Sequence, residues 1–205
     1  MPAPKYSDLI TVAIPVFERT KYYKEALSSA LDQTIQCCVI VVDNASSHND
    51  ICDYVTALNN PLVRYIRNEH NLGMEGNWNA CMQYAETEWL TILHDDDILY
   101  PKYVEIIVQY ILHNNAACVA VKCDGGNRPS TIPGDSHSNI EVVDIKWWHY
   151  LWENLSPFPG VAFLREVGLS LGGFNAAWHP SADLEFWSRL SEKFRTVRID
   201  ANLAF

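Results

Sequence analysis

The chain has 205 residues, is 48% hydrophobic and carries a formal charge of −10. That length and apolar content suit one globular domain with a sizeable core and exclude a disordered chain. The acidic balance argues against binding duplex nucleic acid or docking electrostatically on anionic lipid, since both need a basic face.

The first half alternates between two textures. Leu9 to Phe17 ("LITVAIPVF") is apolar throughout and reads as a buried strand. Lys21 to Gln33 places Tyr22, Tyr23, Ala26, Leu27, Ala30 and Leu31 on one helical face. Cys37 to Asp43 ("CCVIVVD") is a second strand, closed by the turn-forming "DNASS". Asn49 to Leu58 is a short helix stopped by Asn59-Asn60-Pro61, and Val63 to Asn68 is a third strand. "GNWNACMQYA" sets Trp78, Cys81, Met82 and Ala85 at helical spacing, and Glu88 to His94 is a fourth strand. "PKYVEIIVQYIL" starts a helix at Pro101, with Val104, Ile107, Val108, Ile111 and Leu112 on one face. "ACVAVKCD" is a fifth strand.

Apolar strands alternating with amphipathic helices predict an α/β fold, a mainly parallel sheet with helices on both faces. In such sheets ligands bind beyond the carboxyl ends of the strands, near a switch in strand order. Phe17-Glu18, Asp43-Asn44 and Asp95 to Asp97 each end a different strand and are expected to converge there.

After Asp124 the texture changes. Gly125 to Asn139 ("GGNRPSTIPGDSHSN") is a long loop, open to two readings: a lid over a site, or plain disorder. "IKWWHYLWENL" is aromatic, and two of Trp147, Trp148 and Trp152 are expected in the core. "SADLEFWSRLSEK" is a helix with Ser181 at its N-cap. The six cysteines form no paired CxxC and read as reduced and mostly buried. "MPAPKYSDLI" is not a signal peptide, and no apolar run is long enough to span a bilayer. A cytoplasmic protein is expected, with peripheral attachment at the inner membrane face left open. "TVRIDANLAF" stops directly after a strand-like run, as a shortened chain would.

"TILHDDDILY" poses the chemical question. One aspartate there would be a cap or a solvated turn. Three in a row after a buried strand favour a hard-cation site, for which Mg²⁺ or Mn²⁺ with one or two carboxylates and substrate phosphates is the common arrangement. No GxxxxGK[ST] loop and no GxGxxG after the first strand are present, which sets aside P-loop enzymes and dinucleotide dehydrogenases.

The stretches "TVAIPVFER", "VIVVDNAS", "NEHNLGMEGNWNACMQYAETEWLTILHDDDIL" and "GGFNAAWHPSADLEFWSRL" occur in one order and cover nearly the whole chain. In these the chain resembles an inverting, GT-A fold, family 2 glycosyltransferase. The resemblance implies a single GT-A catalytic domain over 1–205, with a nucleotide-sugar-binding half (1–124) and a loop and acceptor-side half (125–205). It implies a nucleotide-diphospho-sugar donor, expected to be UDP-linked, a Mn²⁺ or Mg²⁺ cofactor, and a glycan or lipid-linked acceptor, as in polysaccharide assembly. Pro15, Phe17 and Glu18 would line the nucleoside pocket, and Asp43 would face the base, its plainer role being a turn residue. Asn71 and Gly73 would serve the donor site through turn and backbone geometry, and Asn79 would tie helix to loop. Asp95 would sit near the ribose. Asp96 matches the last acid of the DxD motif and would bind the metal, with Asp97 in a supporting role. His94 stands where many members carry the first acid, as a metal neighbour or a satisfied histidine near the core.

The resemblance also implies that Asp183 is the base that activates the acceptor; the plainer reading is an acid complementing the helix dipole. Glu185 is the rival, although Glu185 and Arg189 at i,i+4 suit a surface ion pair. Many members carry Glu before this Asp, where this chain has Ala182. Two other classes stay open: a metal-dependent sugar nucleotidyltransferase, disfavoured by the lack of a Gly- and Arg-rich triphosphate loop, and an inactive fragment that still binds nucleotide or carbohydrate.

Overall fold

Strand β1 (Ile10–Val16) is buried along its whole length, and its side chains divide between two apolar layers. Ile10, Val12, Ile14 and Val16 face one layer and Ala13 the other, as the period of two requires. Strand β2 (Cys38–Asp43) repeats this, with Val39 and Val41 on the first side and Ile40 and Val42 on the second. Helices α1 (Tyr23–Leu31), α2 (Asp50–Leu58) and α4 (Tyr103–His113) cover the first face. Helices α3 (Gly73–Tyr84), α5 (Arg165–Ser170) and α6 (Ala182–Lys193) cover the second.

The computed structural model describes residues 8–125, 141–153, 156 and 158–205. The remaining strands are β3 (Val63–Arg67), β4 (Trp89–Ile92), β5 (Cys118–Cys123), β6 (Val142–Ile145), β7 (Val161–Leu164) and β8 (Thr196–Ala204). Together they form one eight-stranded sheet in the order β3-β2-β1-β4-β7-β5-β8-β6. Pairings β1 with β2, β1 with β4, β2 with β3 and β5 with β8 are parallel, so the sheet is mostly parallel, with β7 inserted antiparallel between β4 and β5 and β6 antiparallel at the edge. The expected fold class is the observed one.

Topology explains where the site lies. From β1 the chain steps outward to β2 and β3, then returns to place β4 on the other side of β1. The strand order therefore switches between β1 and β4, and β1, β2 and β4 all point their carboxyl ends to the same rim.

Several local expectations are corrected. Helix α3 starts at Gly73, three residues before the expected segment at Gly76, where Asn71 Oδ1 accepts the Gly73 N–H at 2.8 Å and Gly73 takes a φ of 76°. Pro101 precedes α4 in a turn instead of opening the helix. Ser181 holds the N-cap position of α6, but its side chain makes no capping bond. Strands β6 and β7 come from segments whose short apolar runs carry no alternation strong enough to name them. Trp147, Trp148 and Trp152 are 41%, 48% and 88% exposed, so the expected core role of two of them does not hold. Trp147 and Trp148 ride a short 3₁₀ turn (Trp147–Leu151) that Trp152 follows; its inward residue is Tyr150, packed on the core and bonded to Ser156 Oγ at 2.7 Å. Of the cysteines, Cys37, Cys81 and Cys118 are buried; Cys38, Cys52 and Cys123 are only half-buried. The loop expectation for Gly125 to Asn139 falls, beyond Gly125, outside the described residues.

Candidate active site

Beyond the carboxyl ends of β1, β2 and β4 lies a cleft of about 450 Å³. Pro15, Val16 and Phe17 from the end of β1 form one wall, with the Phe17 ring 40% exposed. Asn44 follows β2, and Asn71, Gly73, Met74, Asn77 and Trp78 come from the start of α3. His94, Asp95 and Asp96 close the other side, with Arg19 beside them.

The wall is held by asparagines. Asn44 Nδ2 donates to Asn71 Oδ1 (2.8 Å) and to the Gly73 carbonyl (3.1 Å), while Asn44 Oδ1 accepts from Leu72 N and Asn68 Nδ2. Asn68 also donates to Asn77 Oδ1 at 2.9 Å, and Asn77 Nδ2 donates to the Val42 carbonyl. A side-chain amide both donates and accepts, so this set fastens the ends of β2 and β3 to the start of α3 without placing charge behind the cleft.

The acidic turn is anchored on two sides. Asp97 N donates to the His94 carbonyl at 3.2 Å, and the following residues pair with the far end of β8 through Ile98 N to Phe205 O, Phe205 N to Ile98 O, and Tyr100 N to Leu203 O. The His94 ring packs against both Trp78 and Phe158, with centroids 5.3 and 4.3 Å away, and those two rings also touch each other at 4.5 Å. Its Nδ1 is 3.4 Å from Asp97 Oδ2, and its Nε2 is buried without a hydrogen-bond partner among the described residues.

Asp95 is 4% exposed; burial pushes its carboxyl up to about 6, opposed by Arg19 and reinforced by Asp96. The Arg19 guanidinium reaches both acids, Nη2 to Asp95 Oδ1 at 3.0 Å and Nη1 to Asp96 Oδ2 at 2.7 Å. Partial burial lowers the Arg19 pKa, but the bond to Asp96 and the charges of Asp95, Asp96 and Asp97 outweigh it and hold the guanidinium charged.

The residues present fit a divalent cation. His94, Asp96 and Asp97 each offer a ligand atom, and these atoms lie within 4.8 Å of one another. One imidazole nitrogen with two carboxylate oxygens suits Mn²⁺ better than the all-oxygen preference of Mg²⁺.

Other expected residues stand outside the cleft lining. Asp43 is fully buried; its Oδ1 accepts from Ser46 N (2.9 Å) and Ser46 Oγ (2.6 Å), and its Oδ2 accepts from Tyr65 Oη (2.5 Å). Glu18, at a φ of 57°, turns its carboxylate onto Ser47 N (2.8 Å) and Ser47 Oγ (3.0 Å), which braces the loop after β1 against the loop after β2. Asn79 ties helix to loop, exchanging two bonds with the backbone of Phe174.

Asp183 lies half-buried in the first turn of α6 and, among the described residues, makes no side-chain hydrogen bond or ion pair. The segment leading into α6 is fixed to α3 by His179 Nδ1 and the buried Glu75 Oε1, 2.8 Å apart. Glu185 is committed elsewhere. It forms a two-pronged pair with Arg189 (2.7 Å for each bond), and Arg189 also donates to the carbonyls of Leu171 and Gly173. The expected surface pair is thus a half-buried brace, with side chains 19% and 23% exposed.

Sequence reasoning missed Arg19, Met74 and Asn77 as cleft residues, and took Trp78 only for a core residue of its helix. Arg19 was within reach, as the one basic residue two places beyond Phe17. The others depend on which face of α3 meets the cleft.

The sequence model of the glycosyl transferase family 2 matches residues 11–166. The chain belongs to that family. An uncharacterized glycosyltransferase of Haemophilus influenzae is 26% identical over 204 residues, covering 96% of this chain and 67% of that protein. Among solved structures the family fold recurs at 18% identity in S. aureus TarS in complex with UDP-GlcNAc, with a TM-score of 0.77 over 96% of this chain and 57% of that one. It recurs again, also at 18%, in the mannosyltransferase PcManGT from Pyrobaculum calidifontis in complex with GDP-Man and Mn²⁺, with a TM-score of 0.69 over 98% and 57%. The chain spans about two thirds or less of the curated relatives it matches. No helix among the described residues is long and apolar enough to cross a membrane.

Proposed function

We propose that this chain transfers a sugar from a nucleotide-diphospho-sugar, with UDP as the expected nucleotide, to an acceptor hydroxyl with inversion at the anomeric carbon. One observation carries the reading. An apolar wall at Pro15 and Phe17, an uncharged amide wall, and a cluster of carboxylates with a histidine meet in a single cleft. That order of surfaces matches the order of chemistry in a nucleoside joined to a diphosphate. The family, and relatives that bind UDP-GlcNAc or GDP-Man with Mn²⁺, support the same reading.

In this reading Phe17 and Pro15 receive the nucleoside and Asp95 lies toward the ribose. Asn71 and Gly73 shape the cleft edge. Asp43 acts from behind the wall by holding Ser46 and Tyr65; a direct contact with the base would require its carboxylate to leave those partners. Asp96, with His94 and Asp97, would hold the divalent cation. When bound, that cation supplies Lewis-acid stabilisation of the charge on the departing diphosphate. Asp183 takes the proton of the acceptor hydroxyl as its oxygen attacks the anomeric carbon opposite the diphosphate. Glu185 is a poor rival because both its oxygens are occupied by Arg189. The acceptor is a glycan or lipid-linked hydroxyl, and the enzyme works in the cytoplasm or at the inner membrane face.

The test is a thermal-shift titration with UDP, GDP, dTDP and ADP, each with and without Mn²⁺. A ligand at a hundredfold excess over its Kd stabilises by about 2.7 kcal/mol. One nucleotide should shift the melting point only with Mn²⁺, and Asp96→Ala should abolish that shift. A chain that responds to no nucleotide under either condition defeats the reading.

A further inference from the structure

Arg19 occupies a position that the proposed chemistry leaves unexplained. Its guanidinium bridges Asp95 and Asp96 with two separate nitrogens, at 3.0 and 2.7 Å, although its side chain is 59% exposed. Asp96 is also one of the three residues whose ligand atoms cluster within 4.8 Å. One carboxylate therefore serves both a fixed monovalent cation and a candidate site for a divalent one.

The backbone beneath Arg19 is braced independently of its side chain. Glu18 N donates to Ser46 Oγ at 2.9 Å, the Glu18 carboxylate holds Ser47, and Arg19 N donates to the Phe17 carbonyl at 2.6 Å. The described partners of the Arg19 side chain are these aspartates. Arg19 can thus leave the acids by side-chain rotation alone, with its loop kept in place.

We propose that Arg19 is a resident counter-ion that makes metal and nucleotide load together. This rests on the proposed metal-and-nucleotide site. Without nucleotide, the guanidinium offsets part of the charge of Asp95 and Asp96 and competes with a divalent cation for Asp96. A diphosphate offers Arg19 a better partner, because a planar guanidinium pairs with phosphate oxygens in the same two-pronged way as with carboxylates. Its departure toward the diphosphate frees Asp96 for the metal, which the same diphosphate also attracts. Each ligand then strengthens the other, and the coupling is reciprocal.

Direct binding measurements test this without any turnover. Mn²⁺ alone is titrated against the wild-type chain, Arg19→Ala, Arg19→Lys and Asp96→Asn, with free Mn²⁺ followed by electron paramagnetic resonance. The titrations are then repeated with saturating UDP. Arg19→Ala should bind Mn²⁺ alone at least tenfold more tightly than wild type, and UDP should improve its Mn²⁺ affinity less. Arg19→Lys, which keeps the charge but loses the fork, should fall between them. Equal affinity of wild type and Arg19→Ala for Mn²⁺ alone, with binding lost in Asp96→Asn, overturns the coupling and leaves the metal site standing. Absence of both Mn²⁺ and UDP binding in every variant defeats the site itself, and the coupling with it.

Discussion

At the scale of single residues, two carboxylates two positions apart in the first turn of one helix are separated by what they touch. Asp183 and Glu185 both open α6 and both suit the positive end of a helix. Glu185 is locked to Arg189, which in turn holds two carbonyls of the Leu171–Gly173 turn. Asp183 has no such tie among the described residues. The two should therefore fail differently. Asp183→Asn should bind nucleotide as wild type does and lose transfer by roughly two to four orders of magnitude. Glu185→Gln should lose stability by about 1.5–3 kcal/mol, the usual worth of a hydrogen bond to a charged group, and retain transfer where folded. Chemical denaturation beside a donor-consumption assay separates the two; wild-type transfer by Asp183→Asn would remove it as the base. The family resemblance nominated both acids, and the Arg189 contacts distinguish them.

At the scale of elements, two glycines with positive φ show how local conformation and packing differ. Gly73, at 76°, starts α3 and has open space where a Cβ would stand. Gly173, at 71°, would place a Cβ 2.3 Å from Asn79 Oδ1, inside the bonded pair that joins α3 to the Phe174 segment. Gly73→Ala should cost about 1–2 kcal/mol, the strain of the left-handed conformation alone. Gly173→Ala should cost clearly more, since it adds a clash that breaks the Asn79 pair. Melting curves of the two variants rank them, and equal losses would mean that Asn79 moves aside freely. The glycines themselves were visible in "NLG" and "LGGF". The difference between them was not, because the Asn79 partner is 94 residues away along the chain.

At the scale of the whole molecule, burial controls the reactivity of the thiols. Cys37 is buried under β1 and its thiol is pushed up to about 12; Cys81 and Cys118 are pushed higher still by complete burial. Since the thiolate is the reactive form, a raised pKa leaves almost none of it at pH 8. A thiol reagent at that pH should therefore modify half-buried Cys52 first and spare Cys37, Cys81 and Cys118 until the sheet unfolds. Mass spectrometry of the folded chain reads this directly, and early labelling of Cys118 would contradict its complete burial at the start of β5.

The alternation of apolar strands and one-faced helices determined the α/β class and the first five strands, because strand and helix periodicities are local and survive in sequence. The acidic turn at Asp95 to Asp97 and its position after a strand were equally legible. Tertiary structure decided the rest. It inserted β7 between β4 and β5, and β8 between β5 and β6, since strand neighbours are chosen by long-range pairing that no local pattern encodes. It moved Asp43 and Glu18 behind the cleft and set Arg19 on the acids. A side chain's partner across a rim depends on the order and twist of the strands beneath it, and that order exists only once the sheet has formed.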